Sequence, residues 1–218
     1  MDYAAARHNM VENQIRTNRV TDSAVVAAMD ALPREMFVPK QLRGIAYVDE
    51  DLDLGNGRYL MEPMVLARLL QAAEVRPTDV VLDIGCGTGY ATAVLARIAS
   101  AVVALECDAD LAARAGSLLS ELGADNAAVV VGPLKEGYAA QAPYDVILLG
   151  GAVVDLPSAL CDQLADGGRL VAIIAGNGTG VGKATVVTRT GDTISRRVVF
   201  DAATPLLPGF APEPGFVF

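Results

Sequence analysis

A single histidine, no tryptophan and three cysteines are what this 218-residue chain has least of. With His8 alone, neither a histidine-based metal centre nor a Ser-His-Asp triad can be assembled, so those enzyme classes drop out and no metal site is expected. Cys86, Cys107 and Cys161 stand apart without metal or redox spacing, and an odd number makes no disulfide framework. Although 52% of the residues are hydrophobic, no run approaches the ~18 uninterrupted apolar residues of a membrane span. Basic residues are also scarce: 17 Lys and Arg face 26 Asp and Glu, for a net charge of −9. That balance argues against a nucleic-acid partner, which needs clustered cations, and reads as a solubility device. The N-terminal stretch carries Asp2, Arg7, Glu12, Arg16 and Arg19 with no apolar core between them, unlike a secretory signal. A cytoplasmic, monomeric protein without membrane or nucleic-acid partners is the expectation.

What the chain does have is alternation. From Asp79 onward, apolar runs near 80–84, 101–106, 127–131, 145–149 and 169–174 read as strands, separated by helical segments near 89–99, 109–122 and 156–165. This predicts an α/β fold with a doubly wound, Rossmann-like parallel sheet. Val181 to Phe200 alternates around Thr190-Gly191-Asp192, which predicts a C-terminal antiparallel hairpin. Ahead of the sheet, Ala4 to Ile15 and Asp22 to Leu32 have helical spacing, the second capped by Thr21 or Asp22, and Pro33 and Pro39 break the pattern. Residues 49–58 are acidic and then glycine-rich and read as a surface loop, and Pro63 opens a helix through Glu74. The division is a helical N-terminal extension with a substrate loop over 1–62, and the main domain over 63–218, as one structural unit. The stretch 175–183 invites a phosphate-loop reading, but Ala184 replaces the metal-binding hydroxyl and β alternation follows instead of a helix, so a plain connection is expected.

The most informative segment is Val80-Val81-Leu82-Asp83-Ile84-Gly85-Cys86-Gly87-Thr88-Gly89-Tyr90, a buried strand running into a glycine turn and a helix. Gly85 and Gly87 let a ligand lie against bare main chain, and Gly89 lets the helix pack close to the strand. Cys86 and Thr88 complete the turn, Cys86 as a small filler. Asp83 can orient the loop or hold the amino end of a zwitterionic ligand. Roughly seventeen residues beyond Gly89 a second strand ends in Glu106, an acid placed to accept hydrogen bonds from ribose hydroxyls. A dinucleotide fingerprint wants its third glycine one residue later, where Tyr90 stands. The spacing Asp-x-Gly-x-Gly-x-Gly resembles motif I of S-adenosylmethionine-dependent methyltransferases.

Further segments together resemble the protein-L-isoaspartate O-methyltransferase family. Leu32-Pro33-Arg34-Glu35-Met36-Phe37-Val38 is similar to that family's P-R-E-x-F-V segment, Ala142-Pro143-Tyr144-Asp145 to its A-P-F/Y-D strand, and Leu164 to Val171 to its L-x-x-G-G-x-L-V entry. The resemblance implies S-adenosyl-L-methionine as cofactor, held by Asp83, Gly85, Cys86, Gly87, Thr88, Gly89 and Glu106. It also implies a protein or peptide partner carrying isoaspartate, whose carboxylate is methylated in repair.

The likeness breaks at the substrate loop. Where the family carries G-x-G-x-T-I-S-x-P, this chain reads Gly55-Asn56-Gly57-Arg58-Tyr59-Leu60-Met61-Glu62-Pro63, with Tyr59 at the threonine and Met61 at the serine. Gly55, Asn56, Gly57 and Met61 are the expected substrate-binding positions. Arg58 either clamps a carboxylate bidentately or is a solvated loop charge, and Tyr59 either donates the hydroxyl that Met61 lacks or packs under the next helix. These two are the candidate catalytic residues. Glu62 is expected to cap that helix or face the cofactor, Arg34 to pair with Glu35, and His8 to sit on the surface. The family's G-D-G after the third strand is Gly132-Pro133-Leu134 here, and its T-A-A after the fourth is Gly150-Gly151-Ala152. Two other functions therefore stay open: a methyltransferase with a different small-molecule or peptide acceptor, and a cofactor-binding protein without transferase activity.

Overall fold

The structure, a computed structural model, describes residues 1–176 and 181–211. The end of the main domain and part of the connection at 175–183 lie outside the described residues.

Valine- and isoleucine-rich runs form the centre of the molecule. Strands β3 (Val80–Ile84), β4 (Ala101–Glu106), β5 (Ala127–Val131), β6 (Tyr144–Val153) and β7 (Leu164–Ile174) pair in parallel, and β8 (Gly182–Thr190) and β9 (Thr193–Ala202) continue antiparallel from β7. The strand order is β5-β4-β3-β6-β7-β8-β9. The chain winds outward from β3 through β4 to β5, then returns to place β6 on the other side of β3. The order therefore reverses between β3 and β6, the position at which open α/β sheets bind ligands at the strands' carboxyl ends.

Side chains alternate between the two faces, as a strand's period of two requires. Val81, Val102, Val146, Leu148 and Val171 join the larger core with the N-terminal helices α1 (Tyr3–Met10) and α2 (Ser23–Ala31), and with α3 (Pro63–Ala73), α4 (Tyr90–Ala96) and α5 (Ala109–Glu121). Leu82, Ile84, Val103, Leu105, Ile147 and Leu149 face the other way, against Leu134, Leu160, Leu207 and Phe210. That second layer is thin. The helix expected over 156–165 is only α6 (Ser158–Cys161), because β7 already begins at Leu164, where Leu164 pairs with Tyr144 ahead of a register shift.

Local chemistry fixes the helix ends. Asp22 caps α2 by accepting from the backbone N–H of Ala24 and Val25, and Asp108 caps α5 through Asp110 and Leu111. The helix expected to run to Ile15 leaves α-geometry after Met10 for a π-helical turn, Val11–Ile15, and ends where Arg19 takes φ +64°.

Residues 49–58 are not the surface loop that their acid and glycine content suggests. They lead into a two-stranded antiparallel hairpin, β1 (Leu52–Gly55) and β2 (Arg58–Leu60), with Leu52, Arg58 and Leu60 all buried. The alternation of Leu52 and Leu54, with Leu60 paired opposite Leu52, outweighs the charges, which point outward at Asp53 and inward at Arg58.

Candidate cofactor and acceptor site

At the switch point the chain makes its glycine turn. Gly85, Gly87 and Gly89 adopt φ of +76°, +57° and +91°, backbone that side-chain-bearing residues seldom take. The fit is close on every side. A Cβ on Gly150, at the register shift within β6, would meet the Gly85 carbonyl oxygen at 2.5 Å, and one on Gly89 would meet the Ala115 Cβ at 3.2 Å. Gly89 thus serves the packing of α4 against α5, while Gly150 lets β6 pass close beside the turn that follows β3.

Glu106, at the end of β4, is fully buried. Its carboxylate accepts from the backbone N–H of Gly87 at 2.7 Å, of Cys107 at 2.8 Å and of Asp108 at 3.2 Å. The Arg58 guanidinium completes the set: Nε lies 3.2 Å from both carboxylate oxygens, Nη2 lies 3.1 Å from Oε2, and Nη2 also donates to the Gly85 carbonyl. Burial works to raise the Glu106 pKa, but Arg58 and the backbone donors outweigh it and hold the carboxyl below its usual range. Arg58 is 2% exposed. Of the two readings open for it, neither describes this conformation: it clamps a carboxylate, but that of the chain's own Glu106.

The hairpin carrying Arg58 lies across the whole turn. Leu54 Cδ1 stands 3.0 Å from where a Gly87 Cβ would be, and the Asn56 amide at the hairpin tip donates to the Asp108 carboxylate at 2.7 Å. Gly55, Asn56 and Gly57 form that tip with φ of +93°, +53° and +70°. Tyr59, partly buried, and Met61, buried, face Gly85, Cys86 and Gly150 across a cavity of about 20 Å³, room for a single water.

Asp83 is buried at the end of β3, with Oδ2 accepting from the Thr92 hydroxyl at 2.6 Å. Among the described residues its Oδ1 has no partner. Burial pushes its pKa up to about 6, with the Thr92 hydrogen bond opposing and Glu106 adding to the rise. Cys86 is buried beside the turn, and burial raises its thiol well above the ordinary range, so it is an inert filler at neutral pH. Thr88 is turned away from the turn's open side, its hydroxyl donating to the Phe37 carbonyl. The turn's bare backbone, the acid at the end of β4 and the free oxygen of Asp83 together fit a nucleoside cofactor bearing an amino group.

Two expectations need correcting, those for Glu62 and Arg34, while His8 lies on the surface as expected. The Glu62 side chain does not cap α3: it makes no capping bond, and the backbone N–H groups of Glu62, just ahead of the helix, and of Met64, in its first turn, donate to Asp51 and Asp49. The Glu62 pKa rises to about 7 through burial and then the charges of Asp49, Asp51 and Glu50. Arg34 does not pair with Glu35. It is buried, donating to the Ala46 carbonyl at 2.7 Å and the Met61 carbonyl at 2.8 Å, while Glu35 accepts from the Tyr47 hydroxyl. Neighbours on a 3₁₀ turn point apart, and the buried carbonyls capture the arginine. His8 is exposed, beside Asp30 at 3.9 Å.

Two contributors escape local sequence reading. Leu207 covers the turn, its Cδ2 2.7 Å from a Cβ built on Gly85, and the segment holding it is pinned to the end of β6 by Ala152 N–H to Pro205 and Leu207 N–H to Ala152. The aspartates at 49 and 51 do work that their acidic context hides. The available signal was the apolar pair Leu206-Leu207 after Pro205.

The sequence profile of the protein-L-isoaspartate (D-aspartate) O-methyltransferase family matches residues 5–200. The chain belongs to that family. A protein-L-isoaspartate O-methyltransferase of Roseiflexus castenholzii is 40% identical over 212 residues, 97% of this chain and 96% of that protein. One from Koribacter versatilis is 43% identical over 169 residues, 78% of this chain and 76% of that protein. The fold is shared with a solved protein-L-isoaspartate O-methyltransferase at TM-score 0.81 and 24% identity, over 93% of this chain and 66% of that one. It is also shared with a Plasmodium falciparum isoaspartate methyltransferase solved with S-adenosyl-L-homocysteine, at TM-score 0.78, 21% identity and 91% and 96% coverage. Membership in this isoaspartate methyltransferase family meets the expectations of an α/β methyltransferase fold and of an enzyme that transfers methyl groups. No helix among the described residues is long and apolar enough to cross a membrane.

Proposed function

We propose that this chain moves a methyl group from S-adenosylmethionine to the carboxylate of an isoaspartyl residue in a protein or peptide. The observation that carries the reading is the glycine turn at the β3/β6 switch point with the buried Glu106 beside it. Gly85 and Gly87 would present main chain to the cofactor, Glu106 its ribose hydroxyls, and the free Oδ1 of Asp83 its amino end. The cofactor supplies an electrophilic methyl on a sulfonium.

Chemistry asks little else of the chain. An acceptor carboxylate with a pKa near ~4 is already ionised at neutral pH, so no general base is needed. The protein's task is to hold one carboxylate oxygen in line with the methyl and to exclude water. The hairpin turn Gly55-Asn56-Gly57 and the cavity lined by Tyr59 and Met61 are the acceptor side of the site in this reading. Tyr59 is its hydroxyl donor, since Met61 has none to give and Arg58 is engaged at Glu106.

The experiment is direct: methyl-labelled S-adenosylmethionine, an isoaspartyl peptide and its normal aspartyl counterpart, with base-labile methyl ester counted. Ester on the isoaspartyl peptide alone is the expected result. No ester on either, in a protein whose melting temperature the cofactor raises, overturns the acceptor and leaves the cofactor assignment standing.

A further inference from the structure

The acid placed to receive a ribose is already spent. An ionised carboxylate offers about four lone-pair sites. In Glu106 three backbone N–H groups and a two-nitrogen contact from Arg58 fill them, with every contact between 2.7 and 3.2 Å. The Arg58 Nη2 also lies 2.8 Å from the position of a Gly85 Cβ, so it occupies the space directly over the turn's bare backbone. What remains open there is the cavity of about 20 Å³, far too small for a nucleoside.

We propose that Arg58 is an internal occupant of the ribose-binding carboxylate, and that cofactor enters by exchange, displacing the guanidinium from Glu106 and Gly85. The inference rests on the S-adenosylmethionine reading above and adds to it a competitor that the chain itself carries. The hairpin is built for such an exchange. It is short, two strands of four and three residues, with its tip held to the main domain by the solvent-exposed Asn56–Asp108 hydrogen bond. Gly55 and Gly57, on either side of that tip, are free of contacts where a side chain would begin. Moving Arg58 leaves Glu106 still served by its three backbone donors, so the buried acid is not stranded while the ribose hydroxyls replace the guanidinium.

Mass action sets the consequence. Each pair of binding partners that must first be separated lowers apparent affinity by the fraction of protein in the open state. Removing the internal partner therefore tightens binding of the external one, while destabilising the protein that has nothing bound.

The test compares wild type with Arg58→Gln by titration calorimetry with S-adenosylhomocysteine, and by thermal melts with and without it. The expected result is at least tenfold tighter binding by the variant, a lower melting temperature without ligand, and a gap that narrows at saturating ligand. Equal or weaker binding by the variant, with wild type binding well, overturns the exchange and leaves the cofactor reading intact. Binding by neither overturns the cofactor reading and the exchange with it. If Arg58→Gln does not fold, Arg58→Lys decides the matter: its single ammonium cannot bridge both carboxylate oxygens and the Gly85 carbonyl, so it must also bind more tightly than wild type, and unchanged affinity overturns the proposal.

Discussion

The Arg34 guanidinium lies 4.8 Å from the centre of the Tyr90 ring and donates to the Met61 carbonyl, tying the first helical residue after the glycine turn to the end of the acceptor hairpin. A buried cation over an aromatic face with two carbonyl acceptors is a strong local bond, and its removal strands those carbonyls. Arg34→Met is therefore expected to lower unfolding free energy by about 2–4 kcal/mol in urea titrations. Arg34→Lys should recover little, because one ammonium cannot span the carbonyls of Ala46 and Met61. Full recovery by lysine would show that charge alone matters there.

Asp83 makes stability pH-dependent. Its folded pKa of about 6 lies above the ordinary value, so the native state holds the proton more tightly than the unfolded chain. The stability it contributes is complete below about pH 4 and is lost as pH rises through about 6. Asp83→Asn should gain on the order of 1–3 kcal/mol over wild type at about pH 8, with the advantage fading toward about pH 4. The same variant should bind S-adenosylhomocysteine more weakly, since the amide has no negative charge and only one acceptor oxygen, which the Thr92 hydroxyl engages. Parallel pH–stability curves for the two proteins would contradict the burial argument.

Tyr59 and Met61 stand where the family pattern that the substrate loop resembles implies threonine and serine. Met61→Ser adds a hydroxyl to the cavity beside Gly85 and leaves that of Tyr59 in place. One hydrogen bond to the acceptor, at about 1.4 kcal/mol in the transition state, corresponds to roughly tenfold in rate. The expected outcome is a rise of at least that size in kcat/KM on isoaspartyl peptide. No rise would assign acceptor recognition to Tyr59 as it stands.

Gly150→Ala tests the turn without removing a polar group. Its Cβ would sit 2.5 Å from the Gly85 carbonyl oxygen, so the turn must shift. A stability loss of about 1–3 kcal/mol should accompany a drop of tenfold or more in cofactor affinity, read by melting and calorimetry. Unchanged affinity would mean that the cofactor does not lie on this turn.

Much of this was legible in the chain alone. Strands β3, β4 and β5 lie at the expected residues, because short valine-rich runs bounded by polar turns report on themselves, even in the partly exposed edge strand β5. The glycine turn and Glu106 were legible for the same reason: their geometry is local. The hairpin was not. A stretch of four acids, two glycines and an arginine looks solvated until Glu106, 48 residues away, is known to receive that arginine. The short α6 and the early start of β7 were hidden because the pairing of Leu164 with Tyr144 is decided across the sheet and not along the chain.

The segment through Leu207 closes over the turn and is stitched to β6 by two backbone hydrogen bonds, while Thr204 reaches Asp51 at the base of the hairpin, 153 residues earlier. The pocket thus has a wall contributed from far downstream. Synthesis runs from the N-terminus, so a nascent chain carries the glycine turn well before the residues that wall it in, and the site cannot close until residue 207 has emerged.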